Sequence, residues 1–368
     1  MTEAAEQDRF IGIQILRGLA AASVVAFHLG GMARLRAGFD ESATLAGAAG
    51  VDLFFVISGF IMIHTTRRGL NPRDFLRRRF SRIVPLYALV TLLAYAESLL
   101  GAHGGGGEAL WRLAAALAFI PSYNSKGEIA PVFEPGWTLH FEAFFYLALA
   151  LAATIVPRRR LAVLCVLLVG AVAAGALLSP RNGALACWSH PLLLEFLAGC
   201  LIAHVHATRR WTPPPKTAQR TAVLAILFGV SLLLFAAFHG AGRPHWIDHW
   251  RFLVWGAPAA AIVAGFVALE RTGVFSRFAG AALWGERSYA LYLTHPFVIS
   301  AAGLALRGAP DARAVALPAA LAAFLLSLAL AALVHARVER PLQQRFQAKW
   351  MPVRVKKTRQ TIMLESVQ

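Results

Sequence analysis

The sequence predicts an all-α fold: a polytopic membrane bundle of about ten transmembrane helices, one further re-entrant or interfacial helix, and both termini in the cytoplasm. Three observations carry this expectation. Apolar runs of about 20 residues, the length that crosses a bilayer as a helix, recur along the whole chain. With 58% hydrophobic residues, 15% charged residues and a mean hydropathy of +0.58, the 368 residues do not have the balance of two soluble domains. The basic residues are also distributed unevenly. With ten spans and the N-terminus inside, 27 of the 36 Lys and Arg fall on the cytoplasmic side.

The spans are expected near 11–32, 46–65, 83–101, 137–156, 161–179, 188–206, 221–239, 251–270, 284–303 and 315–336. Trp111–Pro121 is too short to cross and is the re-entrant or interfacial segment. Treating it as a span would swap every later loop and erase the charge bias. The acidic start MTEAAEQDRF precedes a first run with no evident small-residue cleavage site, so that run is expected to be retained. Trp211–Lys216 (WTPPPK) reads as a stiff linker. Residues 1–345 are expected to form one membrane-embedded domain and 346–368 a basic cytoplasmic tail lying on anionic lipid. The net charge of +17 lies between hydrophobic segments, so topology explains it and nucleic acid is not an expected partner. Cys165, Cys187 and Cys200 are too few, and too apolar in context, for a disulfide framework or a metal site; no metal is expected.

The chemistry begins in the first span, IGIQILRGLAAASVVAFHLGGM, where Arg17 and His28 interrupt an apolar run. Eleven residues of α-helix give about 16 Å of rise and three turns plus roughly 20°, so both side chains leave one face. Two readings fit: a polar track across the membrane, or an arginine and a histidine reaching opposite headgroup layers. After the second span, seven arginines fall within residues 64–82. Arg79 and Arg82, three apart, share a helix face at the cytoplasmic mouth. Paired guanidinium groups suit a ligand with several phosphates; the competing reading is topology and lipid headgroup contact.

Asp52 opens the second span (GVDLFFVISGFIM) at a depth similar to that of His28. A carboxylate there can orient the imidazole as a general base, or serve the helix dipole. Ser58-Gly59 reads as a close helix contact. In PGWTLHFEAFFYLAL, Glu142 lies inside the fourth span and needs a partner or a cavity, while Trp137 and Tyr146 are interface and bundle aromatics. In GERSYALYLTHPFVI, Tyr292 and His295 share a face, and His295 reads first as a satisfied buried histidine, with a direct catalytic role as the other reading. His204 and His206, two apart, point to different sides of a helix; His245, Asp248 and His249 have ligand-like types without a full set.

Taken in order, Arg17 with His28, GVDLFFVISGF, the Arg79–Arg82 pair followed by Pro85 and Tyr87, and PGWTLHFEAFFY resemble acyltransferase family 3, the integral-membrane O-acyltransferases; SYALYLTHPF and VERPLQQ add to the match. The likeness covers about residues 11–345, and the short exopolysaccharide-modifying members are the most similar. TLHF before Glu142 departs from the commoner WSLSVE form, which weakens the inference to one acceptor class. The resemblance implies transfer of an acyl group, usually acetyl, from acyl-CoA to a carbohydrate hydroxyl, with no permanently bound cofactor. It also implies that His28 is essential and that Arg17, Arg79 and Arg82 serve the donor.

On this reading acyl-CoA enters from the cytoplasm onto Arg79 and Arg82, and its arm passes Arg17 towards His28, the general base. Asp52 and Glu142 supply the acidic groups of the catalytic set. Trp137, Tyr146, Tyr292 and His295 are expected to contact substrate. Arg17 could instead stabilise the oxyanion, and an acyl-histidine intermediate is the alternative chemistry. Expected partners are the acyl-CoA, a carbohydrate acceptor, free or lipid-linked, membrane lipids and a polysaccharide-biosynthesis complex. The expected location is the bacterial inner membrane. The rival reading is a transporter or flippase of a lipid-linked glycan, which would also line a path with Arg, His and Glu; the chain shows no repeated halves.

Overall fold

The computed structural model describes residues 10–100, 109–208, 215–239, 249–307 and 311–350. His245, Asp248, most of the Trp211–Lys216 linker and the tail beyond 350 lie outside the described residues. Ten helices there are long and apolar enough to cross a membrane, and each coincides with an expected span. Among the described residues no strand forms; Tyr123 and Ile129 make one isolated bridge.

The principal helices are α1 (Ile11–Ala37), α2 (Gly50–Thr66), α3 (Pro72–Leu99), α4 (Leu110–Leu117), α5 (Trp137–Ile155), α6 (Arg160–Leu178), α7 (Gly183–Trp188), α8 (Leu193–Thr208), α9 (Pro215–Phe238), α10 (Ala257–Glu270), α11 (Ala282–Arg307), α12 (Ala312–Val334) and α13 (Arg340–Trp350). Their ends follow local chemistry. Helix α3 starts where Pro72 pre-sets the first turn and the Asn71 side chain accepts from the Asp74 N–H at 3.2 Å. Helix α1 stops at Gly38, whose φ of 67° is the left-handed C-cap and whose N–H reaches the Arg34 carbonyl. The eight-residue α4 matches the segment judged too short to span.

One end of the bundle collects the arginines. There the Glu270 carboxylate, at the end of α10, accepts from the Ile11 and Gly12 N–H groups at 2.8 and 2.7 Å, a carboxylate on a helix N-terminus. Arg160 donates to the Thr66 carbonyl at 2.6 Å, joining α6 to the end of α2. This is termed the arginine-rich end.

Helices α2 and α5 are the most enclosed spans; α6, α9 and α12 show most of their apolar surface outward, as lipid-facing helices do. The centre is held by close crossings. A Cβ on Gly59 would strike the Phe196 carbonyl, and one on Gly199 would strike the Val56 carbonyl, so α2 and α8 meet backbone to backbone. Helices α1 and α11 form the most extensive helix pair and do the same: Gly285 lies on Gln14 and Gly18 on Trp284. Small residues at such crossings replace the hydrophobic drive that lipid removes. The Ser58-Gly59 expectation thus holds at Gly59.

Candidate active site

A cavity of about 100 Å³ opens among α1, α2, α3, α5 and α11. Its α2 wall is a helical stripe, from Val51 through Phe54, Ser58 and Ile61, the spacing of one face. Arg17 enters from α1, Arg79 and Arg82 from α3, and Glu142 and Tyr146 from α5. Arg73, Arg77 and Arg78 are exposed, whereas Arg79 and Arg82 turn partly inward, as their three-residue spacing requires.

The cavity is polar on one side and positively biased. The Tyr146 hydroxyl donates to Glu142 Oε1 in a short hydrogen bond, and the Ser58 hydroxyl donates to the same oxygen at 3.2 Å. Arg17 donates to Gln14 Oε1 at 3.3 Å and feels the negative charge of Glu142 and Glu339. Arg79 rests over the Phe75 ring at 5.8 Å, and its buried Nε has no hydrogen-bond partner among the described residues. Three guanidinium groups thus face one carboxylate in the cavity wall, with a donor left over. Buried charges are stable when paired, so this arrangement favours an anionic occupant.

Tyr289 and Tyr292 form the α11 wall. The Tyr289 hydroxyl donates to the Ile83 carbonyl at 2.6 Å. The Tyr292 hydroxyl donates to the Pro135 carbonyl at 3.1 Å, and the Thr138 hydroxyl lies 3.1 Å from it. One turn further, the His295 ring lies 6.0 Å from Tyr292 and 5.1 Å from His28. His295 is 1% exposed, while His28 is exposed. The structure therefore brings Arg17, Arg79, Arg82, Glu142, Tyr146 and Tyr292 into one cavity, with His28 and His295 paired beyond Tyr292. Trp137 is not part of the lining; its ring meets Phe55 and Phe141 edge-on.

Asp52 requires a correction. Both its oxygens are held by Arg251, Nε to Oδ1 at 3.0 Å and Nη2 to Oδ2 at 2.6 Å. Arg251 also donates to the Ala48 carbonyl at 3.1 Å. Both side chains are shut away, at 3% and 0% exposure, and Glu195 of α8 is close enough to interact with both. The π-turn Phe252–Gly256 brings Gly256 so near Glu195 that an added Cβ would meet its carboxylate at 2.6 Å. The carboxylate expected to orient His28 is thus committed to an arginine 199 positions away in the chain. A signal for this did exist. Asp52 and Gly59 are seven residues apart and share a helix face, and Gly59 faces α8. Glu195 offers a second signal, a carboxylate inside a span like Glu142; Arg251, at a span's edge, offers none.

An acyltransferase domain model matches residues 10–336, nearly the whole bundle, and the chain belongs to this acyltransferase family. It is a multi-pass membrane protein of that class. Similar proteins include the exopolysaccharide production protein ExoZ of Rhizobium meliloti strain 1021, 37% identical over 82% of this chain and 92% of that protein. Acyltransferase MdmB of Streptomyces mycarofaciens is 30% identical over 81% of each chain. O-acetyltransferase OatA of Staphylococcus aureus is 22% identical over 78% of this chain and half of its own length. No solved structure gives a significant match.

Proposed function

We propose that this protein transfers an acyl group, acetyl in the simplest case, from acyl-CoA to a hydroxyl of an exported carbohydrate, with His28 as general base. The likeness to an exopolysaccharide production protein over most of both chains supports an exopolysaccharide or its lipid-linked precursor as acceptor. It also supports the bacterial inner membrane as the location.

The observation that carries the donor assignment is the convergence of Arg17, Arg79 and Arg82 on one cavity, with the Arg79 Nε unpartnered. The phosphates of CoA supply the missing negative charge, and guanidinium forks fit phosphate oxygens bidentately. The basic bias of the arginine-rich end supports its lying in the cytoplasm, where acyl-CoA is made. From there the thioester arm runs past Tyr292 to His28. Helix α1 carries Arg17 and His28 about 16 Å apart along its axis.

At His28 the acceptor hydroxyl gives its proton to the imidazole as its oxygen attacks the thioester carbonyl. The C–O bond forms, the C–S bond breaks, and the thiolate leaves with the proton from the imidazolium. Proton transfer of this kind contributes about 10²–10⁴-fold in rate. The test is O-acyl content of surface polysaccharide, by mass spectrometry, from cells with the wild-type chain or His28→Ala. The variant should be present in the membrane at normal levels and give no O-acylation. Normal acylation by His28→Ala would end the proposal.

A further inference from the structure

We infer that His295 is the positioning partner of His28, the role that sequence alone assigns to Asp52. This inference rests on the reading of His28 as the base. The argument begins with Pro296, which lies inside α11. Proline has no N–H, so the helix loses a donor one residue after His295. At this point the His295 ring folds back on its own helix, its Nδ1 lying 3.2 Å from the Leu291 carbonyl. A carbonyl only accepts, so Nδ1 carries the hydrogen and Nε2 is left as a bare lone pair.

That lone pair is the unusual feature. Nε2 is buried and has no hydrogen-bond partner among the described residues, in a side chain only 1% exposed. Buried polar atoms are nearly always satisfied, and an orphan calls for an explanation. The ring that reaches His295 from another helix is His28, 5.1 Å away between centroids and tilted by 39°. Helices α1 and α11 hold the two rings in register, because Gly18 and Gly285 let these backbones touch.

A histidine facing a bare imidazole nitrogen donates its own N–H to it. The His28 hydrogen is then fixed on the nitrogen turned towards His295, and the other nitrogen takes the acceptor's proton. The His28 imidazolium keeps the same hydrogen bond, now charge-assisted and stronger. His295 neither gains nor loses a proton: the hydrogen moves from acceptor oxygen to His28 and on to the CoA thiolate.

The test compares His295→Gln with His295→Asn in the purified full chain, using acetyl-CoA and exopolysaccharide stripped of acyl groups by mild alkali. Glutamine places an amide oxygen near the position of Nε2, whereas asparagine reaches only the position of Nδ1. His295→Asn should lower kcat about 100-fold with the acetyl-CoA KM unchanged, as expected for impaired base catalysis. His295→Gln should recover to within about tenfold of wild type, the scale of one hydrogen bond. Equal activity in the two variants, or a change confined to KM, would overturn the inference. His28→Ala measured alongside separates the two claims. Activity there removes the base itself, while an inactive His28→Ala beside a wild-type-like His295→Asn removes only the pairing.

Discussion

Two groups of charged side chains lie inside this bundle, and they are built in opposite ways. Arg251 and Asp52 form a closed set of two, beside the buried Glu195: two parallel hydrogen bonds between the charges, a third to a backbone carbonyl, and almost no exposure. Arg17, Arg79, Arg82 and Glu142 line a cavity, with an excess of positive charge and an unpartnered donor. An intramembrane charge is expensive in either setting. The first, the Arg251–Asp52 pair, offsets that cost within itself and so serves the fold. The second leaves part of it to be met by something that enters. Direct pairing between the charges, rather than burial, separates the Arg251–Asp52 anchor from the cavity.

The largest expected effect follows from breaking the closed set. Arg251→Ala leaves a carboxylate buried without its partner, which costs about 3–5 kcal/mol and should appear as a strongly lowered Tm in detergent. Replacing both partners, Asp52→Leu with Arg251→Met, should recover much of that loss, since an apolar pair of similar volume leaves neither partner's charge stranded. If the single and double variants were equally unstable, the closed set would owe its importance to something besides pairing. Next in size is the cavity. Arg79→Ala with Arg82→Ala should leave Tm close to wild type and raise the acetyl-CoA KM about 10- to 100-fold, the loss of one or two charge-assisted contacts. An unchanged KM would return this pair to a topology role. The smallest effect sharpens the contrast: Arg77→Ala with Arg78→Ala, on the same helix but exposed, should move the KM by less than about twofold.

The legible part of this molecule was whatever interrupts an apolar run. Arg17, Glu142 and the Arg79–Arg82 face stood out because a charge at membrane depth is rare, and six of the ten singled-out residues line one cavity. Depth follows from position along a helix, so His28 and Asp52 matched in that coordinate. Rotation about the helix axis decided their partners, and it turned Asp52 towards Arg251 and Glu195. That choice depends on which helices touch, a relation between residues 199 apart in the chain that no local pattern records. His295 was expected to contact substrate; its buried Nε2 has no hydrogen-bond partner among the described residues, which sequence could not reveal, because the contact of its ring with the Leu291 carbonyl depends on the side-chain rotamer.

Helix α1 runs from Ile11 to Ala37 without a break. A rigid rod carrying Arg17 at one station and His28 at another acts as a gauge. Any molecule gripped at the first and cleaved at the second needs an arm of about 16 Å between its anchor and its reactive carbon. On the proposed donor route length becomes a criterion of admission, independent of the chemistry at either end: a truncated thioester would reach one station or the other, but not both.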